Sequence, residues 1–193
     1  MKNLKIEIEG IVPMLMHSNR LADPLDEASK EHKKISGKRK KTDEDYEWLA
    51  HNEWRMGLYL NENGDVIIPD INIEACVIAG AKDARKGKQF QGGFVVPSAP
   101  KLKNPRTGRY YTIDTIEEDS NFYDTRAVKL QGSNTIMRTR PIFNEWSVEF
   151  EAVYNENLID RSDIVEALRV AGEQKGIGDY RPKFGKFTVN SIK

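Results

Sequence analysis

The 193-residue sequence predicts an α+β fold in which an antiparallel sheet carries helices on one face and loops are inserted between the elements. Near the N-terminus, Leu4, Ile6 and Ile8 alternate with charged residues, which is the period-two pattern of a half-buried strand. Several later segments place apolar residues three or four positions apart, as amphipathic helices do. The chain closes on a strand-like run, a helix and a final strand. These observations favour a mixed fold over an all-helical or all-β one.

The boundaries of the first two elements follow from local signals. The first strand is expected to begin near Leu4 and to run on to about Met16. Asp23 and Pro24 predict the start of a short polar helix that ends near Lys34, because proline is favoured at the first helical position.

A second helix is predicted after Thr42. Thr42 precedes three carboxylates, so it resembles an N-cap with acidic residues in the first helical turn. Gly57 is expected to end this helix. Its apolar stripe consists of Tyr46, Leu49, Ala50 and Trp54.

A β-hairpin turn is predicted at Asn63 and Gly64, since this dipeptide tolerates the positive φ angles of tight turns. Asp70 or Asn72 then caps a third, well-buried helix that ends before Gly87. The helix is expected to bury Ile73, Val77, Ile78, Ala81 and Ala84.

Residues 87–123 are predicted to form a protruding insertion, because glycines and prolines interrupt their short apolar runs. The runs TRAVKL, TIMRTRPIF and WSVEFEAVY then predict an antiparallel meander, with QGSN as its first turn. Ser162 is expected to cap a last helix, and KFTVNSI to form the last strand. The order of elements is that of an elaborated ferredoxin-like βαββαβ fold, the arrangement of RNA-recognition modules. We expect a single domain over residues 1–193.

Composition excludes several classes of protein. The chain lacks an apolar run long enough to cross a membrane, and its N-terminus has no signal-peptide block. Cys76 stands alone, so the sequence offers neither a disulfide framework nor a cysteine-rich metal site. We expect a buried thiol, no metal or other cofactor, no membrane partner, and location in the cytoplasm, which is the host cytoplasm if a phage encodes the protein.

Charge is balanced in sum, with 30 basic and 30 acidic residues, but it is segregated along the chain. A basic loop is predicted at residues 30–41, and four acidic residues follow it at once. Its cations are Lys30, Lys33, Lys34, Lys38, Arg39, Lys40 and Lys41. This loop is either a flexible clamp for nucleic acid or an ordinary solvated segment, and a bipolar surface can also stack on copies of itself.

The segment GIGDYRPKFGKF, between the last helix and the last strand, is a candidate nucleic-acid site. Gly176 and Gly178 allow the backbone to approach a phosphate closely. The cations that would neutralise phosphates are Arg181, Lys183 and Lys186. Tyr180 and Phe184 alternate with them, as aromatic residues do where single-stranded bases are stacked. Alternatively, both aromatic residues belong to the core and the glycines only end the helix.

Arg138 and Arg140 are expected on one face of a strand, because they flank Thr139. They predict an arginine-lined sheet surface that contacts nucleic acid. The alternative is a solvated face with local salt bridges.

Two family resemblances add to this interpretation. Through Gly176, Gly178 and Gly185, the terminal loop resembles the glycine-rich loop of the repeat-associated (RAMP) superfamily, whose backbone proteins bind CRISPR RNA. Most of the chain is similar to uncharacterised proteins of tailed phages and prophages, through MLMHSNRLADPL, GKRKKTDEDYE, TIMRTRPIF and the same loop. The resemblances imply a RAMP-like fold, phage origin and RNA binding.

Three functions are compatible with the sequence. The first is non-catalytic binding of single-stranded DNA or RNA, with self-association into an array. The second is a phage protein that binds a host or phage protein. The third is a metal-independent endoribonuclease, which the RAMP resemblance implies through His17 as general base after the first strand.

Overall fold

The computed structural model describes residues 1–129 and 135–193, so the predicted turn QGSN and the preceding Leu130 lie outside the described residues. The helices are α1 (Glu27–Ser36), α2 (Asp43–Gly57), α3 (Asp70–Asp83), α4 (Gly87–Gly93), α5 (Ile113–Ile116) and α6 (Arg161–Val170). The strands are β1 (Lys2–Gly10), β2 (Met14–Leu15), β3 (Phe94–Val95), β4 (Leu102–Lys103), β5 (Tyr123–Lys129), β6 (Thr135–Phe143), β7 (Ser147–Tyr154) and β8 (Phe187–Ile192). The predicted α+β class is confirmed.

The chain divides into two compact units, which we describe separately. Unit 1 comprises Met1–Leu15, Leu60–Ile113 and Phe143–Lys193. Unit 2 comprises Met16–Tyr59 and Asp114–Ile142. That the whole chain behaves as one domain stays a prediction.

An antiparallel sheet organises unit 1. Its strand order is β3-β7-β1-β8, and β4 also pairs with β7. The predicted alternation in β1 is confirmed, since Leu4, Ile6 and Ile8 are buried. The opposite face of β1 carries Lys5 and Glu7, which remain partly or fully exposed. One face of this sheet is therefore apolar and covered, and the other is charged.

Helices α3 and α6 pack closely in unit 1. A Cβ atom on Gly80 of α3 would lie 2.2 Å from the carbonyl oxygen of Ala167 in α6, so a glycine is needed where the two helices meet. A π-helical turn, Ala171–Lys175, continues α6. Within this turn Gly172 packs equally closely on Phe187 of β8. These contacts fix the position at which the chain leaves α6 and enters the terminal loop.

Unit 2 is organised around α2 and the β5–β6 hairpin. The two strands pair antiparallel from Tyr123↔Pro141 to Lys129↔Thr135. The indole of Trp54, in α2, donates a hydrogen bond to the carbonyl of Phe122 (2.8 Å). The same indole stacks on Tyr123, with ring centroids 4.3 Å apart. One aromatic contact and one hydrogen bond thus anchor α2 to the start of the hairpin.

Several predicted element ends are wrong by a few residues. The first strand stops at Gly10, well before Met16, and β2 is a separate short strand. Helix α1 begins after Asp26, whose carboxylate accepts from two amides of the first turn, and not at Asp23 or Pro24. At α1, a carboxylate three residues further along the chain than Asp23 takes the capping position.

The predicted caps of the later helices are confirmed only in part. Thr42 is confirmed as the cap of α2 and forms a capping box with Asp45. Helix α3 already begins at Asp70, and neither Asp70 nor Asn72 caps it with a side chain. Helix α6 is capped by Asp160, in a capping box with Asp163, and Ser162 lies inside the helix.

The segment 87–123 is not a protruding insertion. Phe90, Phe94 and Leu102 within it are buried. Strands β3 and β4 of this segment both pair with β7. Strands of two residues are too short to show a periodic pattern, so the glycines and prolines around β3 and β4 resemble loop signals.

The predicted hairpin at Asn63 and Gly64 is confirmed only as a turn. Gly64 has φ +78°, and a single bridge, Leu60↔Val66, joins the two arms. Residues after the turn pair elsewhere, through Asp65↔Thr112 and Ile67↔Lys101.

The predicted three-stranded meander is wrong in its last step. Strands β5 and β6 pair, but β7 belongs to the sheet of unit 1, next to β1. Among the described residues, no helix has the length and apolar character needed to span a membrane.

Candidate nucleic-acid interface

The terminal loop of unit 1 is fixed to the rest of that unit through its backbone. The amide of Asp179 donates to the carbonyl of Leu15 (2.8 Å), and the amide of Gly185 donates to that of Pro13 (2.8 Å). Across the loop, the amide of Ile177 donates to the carbonyl of Gly185 (2.9 Å). The loop is therefore held at both of its arms.

The loop glycines allow close approach between backbone segments. Gly178 has φ +88°, and a Cβ atom there would lie 2.4 Å from the carbonyl oxygen of Leu15. Gly185 has φ +74°, and its Cβ would lie 1.7 Å from the carbonyl oxygen of Ile177. The amide of Gly176 donates to the carbonyl of Ala171 (2.8 Å), which ends the π-helical turn. The alternative in which the glycines are structural accounts for these contacts, and the amide of Gly176 is directed into the protein.

Two aromatic residues of the loop have different environments. Phe184 is buried, with 9% of its surface exposed, whereas Tyr180 is 46% exposed. Their rings meet edge to face, with centroids 6.0 Å apart. Tyr180 has φ +57°, a conformation that is uncommon for a residue other than glycine. Phe184 thus anchors the loop in the core and Tyr180 presents an aromatic face to solvent.

Three cations follow Tyr180 in the chain. Arg181 and Lys183 are exposed, and Lys186 is partly buried. None of the three forms a salt bridge with any described residue. The loop also borders a shallow concavity of about 540 Å³ whose lining includes Ala79, Lys175, Tyr180 and Arg181. An exposed aromatic face with unpaired cations beside a concave surface is the arrangement that stacks a base and holds its phosphates.

Cys76 lies beneath the loop. It is buried as predicted, and its thiol donates to the carbonyl of Gly176 (Sγ to O, 3.1 Å). Burial raises the pKa of this thiol to about 12, and the nearby positive charge of Arg181 opposes the shift. The thiol is thus a structural group that supports the loop.

The basic segment 30–41, in unit 2, is less loop-like than predicted. Lys30, Lys33 and Lys34 lie in α1, which extends to Ser36. Lys38 forms a salt bridge with Asp45 (2.6 Å), and this hydrogen bond is the main cause of the lowered pKa of that carboxyl. The ammonium of Lys41 donates to the carbonyl of Lys38 (3.0 Å). The cations of this segment that are exposed and form no salt bridge with described residues are Lys30, Lys33, Lys34, Arg39 and Lys40.

Arg138 and Arg140 do not form a solvent-facing arginine surface, so that prediction is wrong. Arg140 is buried, with 8% of its surface exposed. Arg138 forms a salt bridge with the buried carboxylate of Glu53, which also accepts from the amide of Thr139 (2.8 Å). The two arginines alternate with Thr139 as predicted, but Arg138 is paired with Glu53 of α2. The alternative with local salt bridges describes Arg138.

The charged face of the sheet in unit 1 is not a base-stacking platform. In β1 and β7 it carries Glu7, Glu9, Glu149 and Glu151. Lys5 pairs with Glu149 (3.0 Å) and Lys103 with Glu7 (3.2 Å). A face with this excess of carboxylates repels phosphates, so a single strand bound to unit 1 would use the loop.

Sequence reasoning missed one group of cations in unit 1. At the end of α3 and the start of α4, Lys82, Arg85 and Lys88 are all exposed and without a salt bridge to any described residue. The signal was available in the run KDARKGK, where four of seven residues are basic.

Within residues 1–129 and 135–193, no hydrogen bond or ion pair joins the imidazole of His17 to another side chain. The side chain of His17 is exposed, and its backbone carbonyl accepts from the hydroxyl of Tyr59 (3.2 Å). Among the described residues, no three His, Cys, Asp or Glu side chains are grouped to hold a metal ion. Catalysis through His17 stays a hypothesis.

Comparison with protein-family models gave no match, and comparison with curated proteins gave no similar sequence.

Proposed function

We propose that this protein binds single-stranded nucleic acid without catalysis, through the terminal loop of unit 1. The observation that carries the proposal is the partly exposed Tyr180, followed in the chain by the unpaired cations Arg181 and Lys183, on a loop whose backbone is fixed. Such a loop would stack a base on Tyr180 while Arg181 and Lys183 contact the adjacent phosphates. Stacking on an aromatic ring tolerates any base, so the proposed binding has little sequence preference and includes both DNA and RNA.

The backbone of Tyr180 supports this proposal. An L-residue with positive φ costs stability that glycine would not, and such strained residues concentrate at functional sites. Three glycines of the same loop, Gly176, Gly178 and Gly185, already occupy positive-φ positions. A tyrosine in a fourth such position is explained by a requirement for its ring.

We further propose that unit 1 has a ferredoxin-like fold. In such a βαββαβ fold the first strand lies between the third and the fourth, and two helices connect the strands. The order β3-β7-β1-β8, with α3 and α6 packed together, supports this assignment. We also propose RAMP kinship and phage origin, which rest on the two family resemblances. Assembly into arrays is proposed because the charge is segregated along the chain.

The test is a titration of labelled single-stranded oligonucleotides, DNA and RNA, followed by fluorescence anisotropy from low to high salt. We expect wild-type binding that weakens steeply with salt. The Arg181→Ala/Lys183→Ala double variant is expected to bind at least about tenfold more weakly, with a salt slope reduced by about 1.4, because each phosphate contact contributes about 0.7.

The matched control is Arg109→Ala/Lys193→Ala. It removes the same charge from two exposed cations of unit 1 outside the loop, and its affinity is expected to stay close to wild type. Equal losses of affinity in both double variants would show that the loop contributes only non-specific positive charge. No binding by the wild type at low salt would contradict the proposal and favour a protein partner.

A further inference from the structure

The unpaired cations of unit 1 are unevenly distributed. Salt bridges to described residues occupy Lys2, Lys5, Lys86, Lys101, Lys103, Arg106, Arg169 and Lys175. Most of the others lie in the terminal loop or around the α3–α4 junction, where Lys82, Arg85 and Lys88 are exposed. Two clusters of free positive charge therefore exist in the same unit.

The loop cluster lines a concave surface through Arg181, and the second cluster begins three residues along α3 from that lining. Ala79 of α3 lines the concavity beside Tyr180 and Arg181. Lys82 lies three residues after Ala79, which places it on the same side of α3, one turn closer to the C-terminal end. The ammonium of Lys175, also in the lining, bridges to both carboxylate oxygens of Asp83 (2.8 and 2.9 Å). This salt bridge ties the base of the loop to the last turn of α3 and neutralises the carboxylate there.

Backbone conformation marks both sides of the same surface. Among the described residues, Arg85 (φ +60°) and Tyr180 (φ +57°) are the non-glycine residues with positive φ. Arg85 directly follows the C-cap Ala84, and the amide of Lys86 donates back to the carbonyl of Ala81 (3.0 Å). Glycine is the usual residue at this position of a helix end, because it adopts positive φ without strain. An arginine there costs stability, which a need for its guanidinium explains.

We infer that a single strand stacked on Tyr180 continues across the concavity onto the C-terminal end of α3, where Lys82 and Arg85 contact its phosphates. The inference rests on the proposed function and extends the site. Helix α3 advances about 6 Å from Ala79 to its last residue, Asp83, at about 1.5 Å per residue, and Arg85 lies two residues beyond that end. The favourable field at a helix C-terminus also accommodates these cations, but it does not require arginine in a strained conformation.

The test compares Lys82→Ala/Arg85→Gly with the Arg109→Ala/Lys193→Ala control in the salt titration. Arg85→Gly relieves the strained backbone, so the variant is expected to fold at least as stably as wild type, which thermal unfolding checks. Loss of two phosphate contacts should reduce the salt slope by about 1.4 and weaken binding of a long oligonucleotide about tenfold at moderate salt.

A length series locates the contact. The double variant should bind a trinucleotide as the wild type does, because that ligand fits at Tyr180 alone, and should lose the affinity that the wild type gains with longer strands. This inference is overturned if Lys82→Ala/Arg85→Gly leaves both the salt slope and the dependence of affinity on oligonucleotide length unchanged. The proposed function stays intact in that case, provided that binding still depends on Arg181 and Lys183. A wild type that binds no oligonucleotide overturns both.

Discussion

Tyr180 is the residue on which the proposed binding depends most, and its neighbours show why it can be presented to solvent. Phe184 is buried and contacts the tyrosine ring edge to face, while Gly178 and Gly185 let the loop lie against Leu15 and Ile177. The motif was visible in the sequence. The structural role of its glycines depends on backbone carbonyls that are distant in the chain or across the loop, so spacing alone could not separate this role from phosphate binding.

The loop glycines provide a stability prediction. Gly185→Ala places a Cβ on the carbonyl of Ile177 and also strains a positive φ, so we expect a loss of at least about 3 kcal/mol in the free energy of unfolding. The control is Gly108→Ala, which has φ +68° but no atom within 4 Å of its Cβ, and about 1 kcal/mol is expected. Urea unfolding measures both. Similar losses in the two variants would show that the close contact is not maintained in solution.

Cys76 provides a second prediction at the same scale. Because burial raises its thiol pKa to about 12, the native thiol is almost fully protonated near pH 8 and is also inaccessible. A thiol reagent is therefore expected to react at least about a hundredfold more slowly with the native protein than with protein in denaturant. The pKa lies above the unfolded value near 9, so this group stabilises the fold below about pH 9, and that contribution is lost as the pH rises towards 12. Rapid reaction of the native protein would contradict this environment.

Among the elements, α2 was predicted best because its sequence contains both a cap and a periodic stripe. Thr42 is the expected N-cap and also forms a capping box with Asp45, and Trp54 of the stripe is fully buried, whereas Tyr46 is 59% exposed. The starts of α1 and α6 were misplaced because carboxylates at Asp26 and Asp160 compete with nearby candidates. The backbone geometry at each position decides which residue caps the helix, and the amino-acid sequence pattern does not reveal that geometry.

Glu53 provides a test of how α2 is attached to the β5–β6 hairpin. Glu53→Ala removes a buried carboxylate that accepts from Arg138 and from the amide of Thr139, and leaves that amide unpaired. We expect a loss of about 2 kcal/mol, a moderate value because Arg138 retains some contact with solvent. The control is Glu47→Ala on the same helix, an exposed site where a change within about 0.5 kcal/mol is expected. Equal effects of the two substitutions would contradict the attachment.

For the whole molecule, the α+β class followed from local patterns, but the pairing of distant strands did not. Strand β7 pairs with β1, β3 and β4 and not with its chain neighbour β6. That pairing places residues 94–103 in the core sheet of unit 1, although their sequence resembles an inserted loop. The candidate site was likewise predicted only in part. Tyr180, Arg181 and Lys183 are exposed as the hypothesis requires, whereas Arg140 is buried and the cations at Lys82 and Arg85 were missed.

The central claim is that a single strand stacks on Tyr180, and photo-crosslinking tests it most directly. An oligonucleotide carrying iodouracil is irradiated with the protein at low salt, and the modified peptide is identified by mass spectrometry. We predict a crosslink at Tyr180 that Tyr180→Gly abolishes while the fold, measured by thermal unfolding, is retained. Crosslinks confined to unit 2 (residues 16–59 and 114–142) would contradict the claim, and so would the absence of any crosslink at low salt.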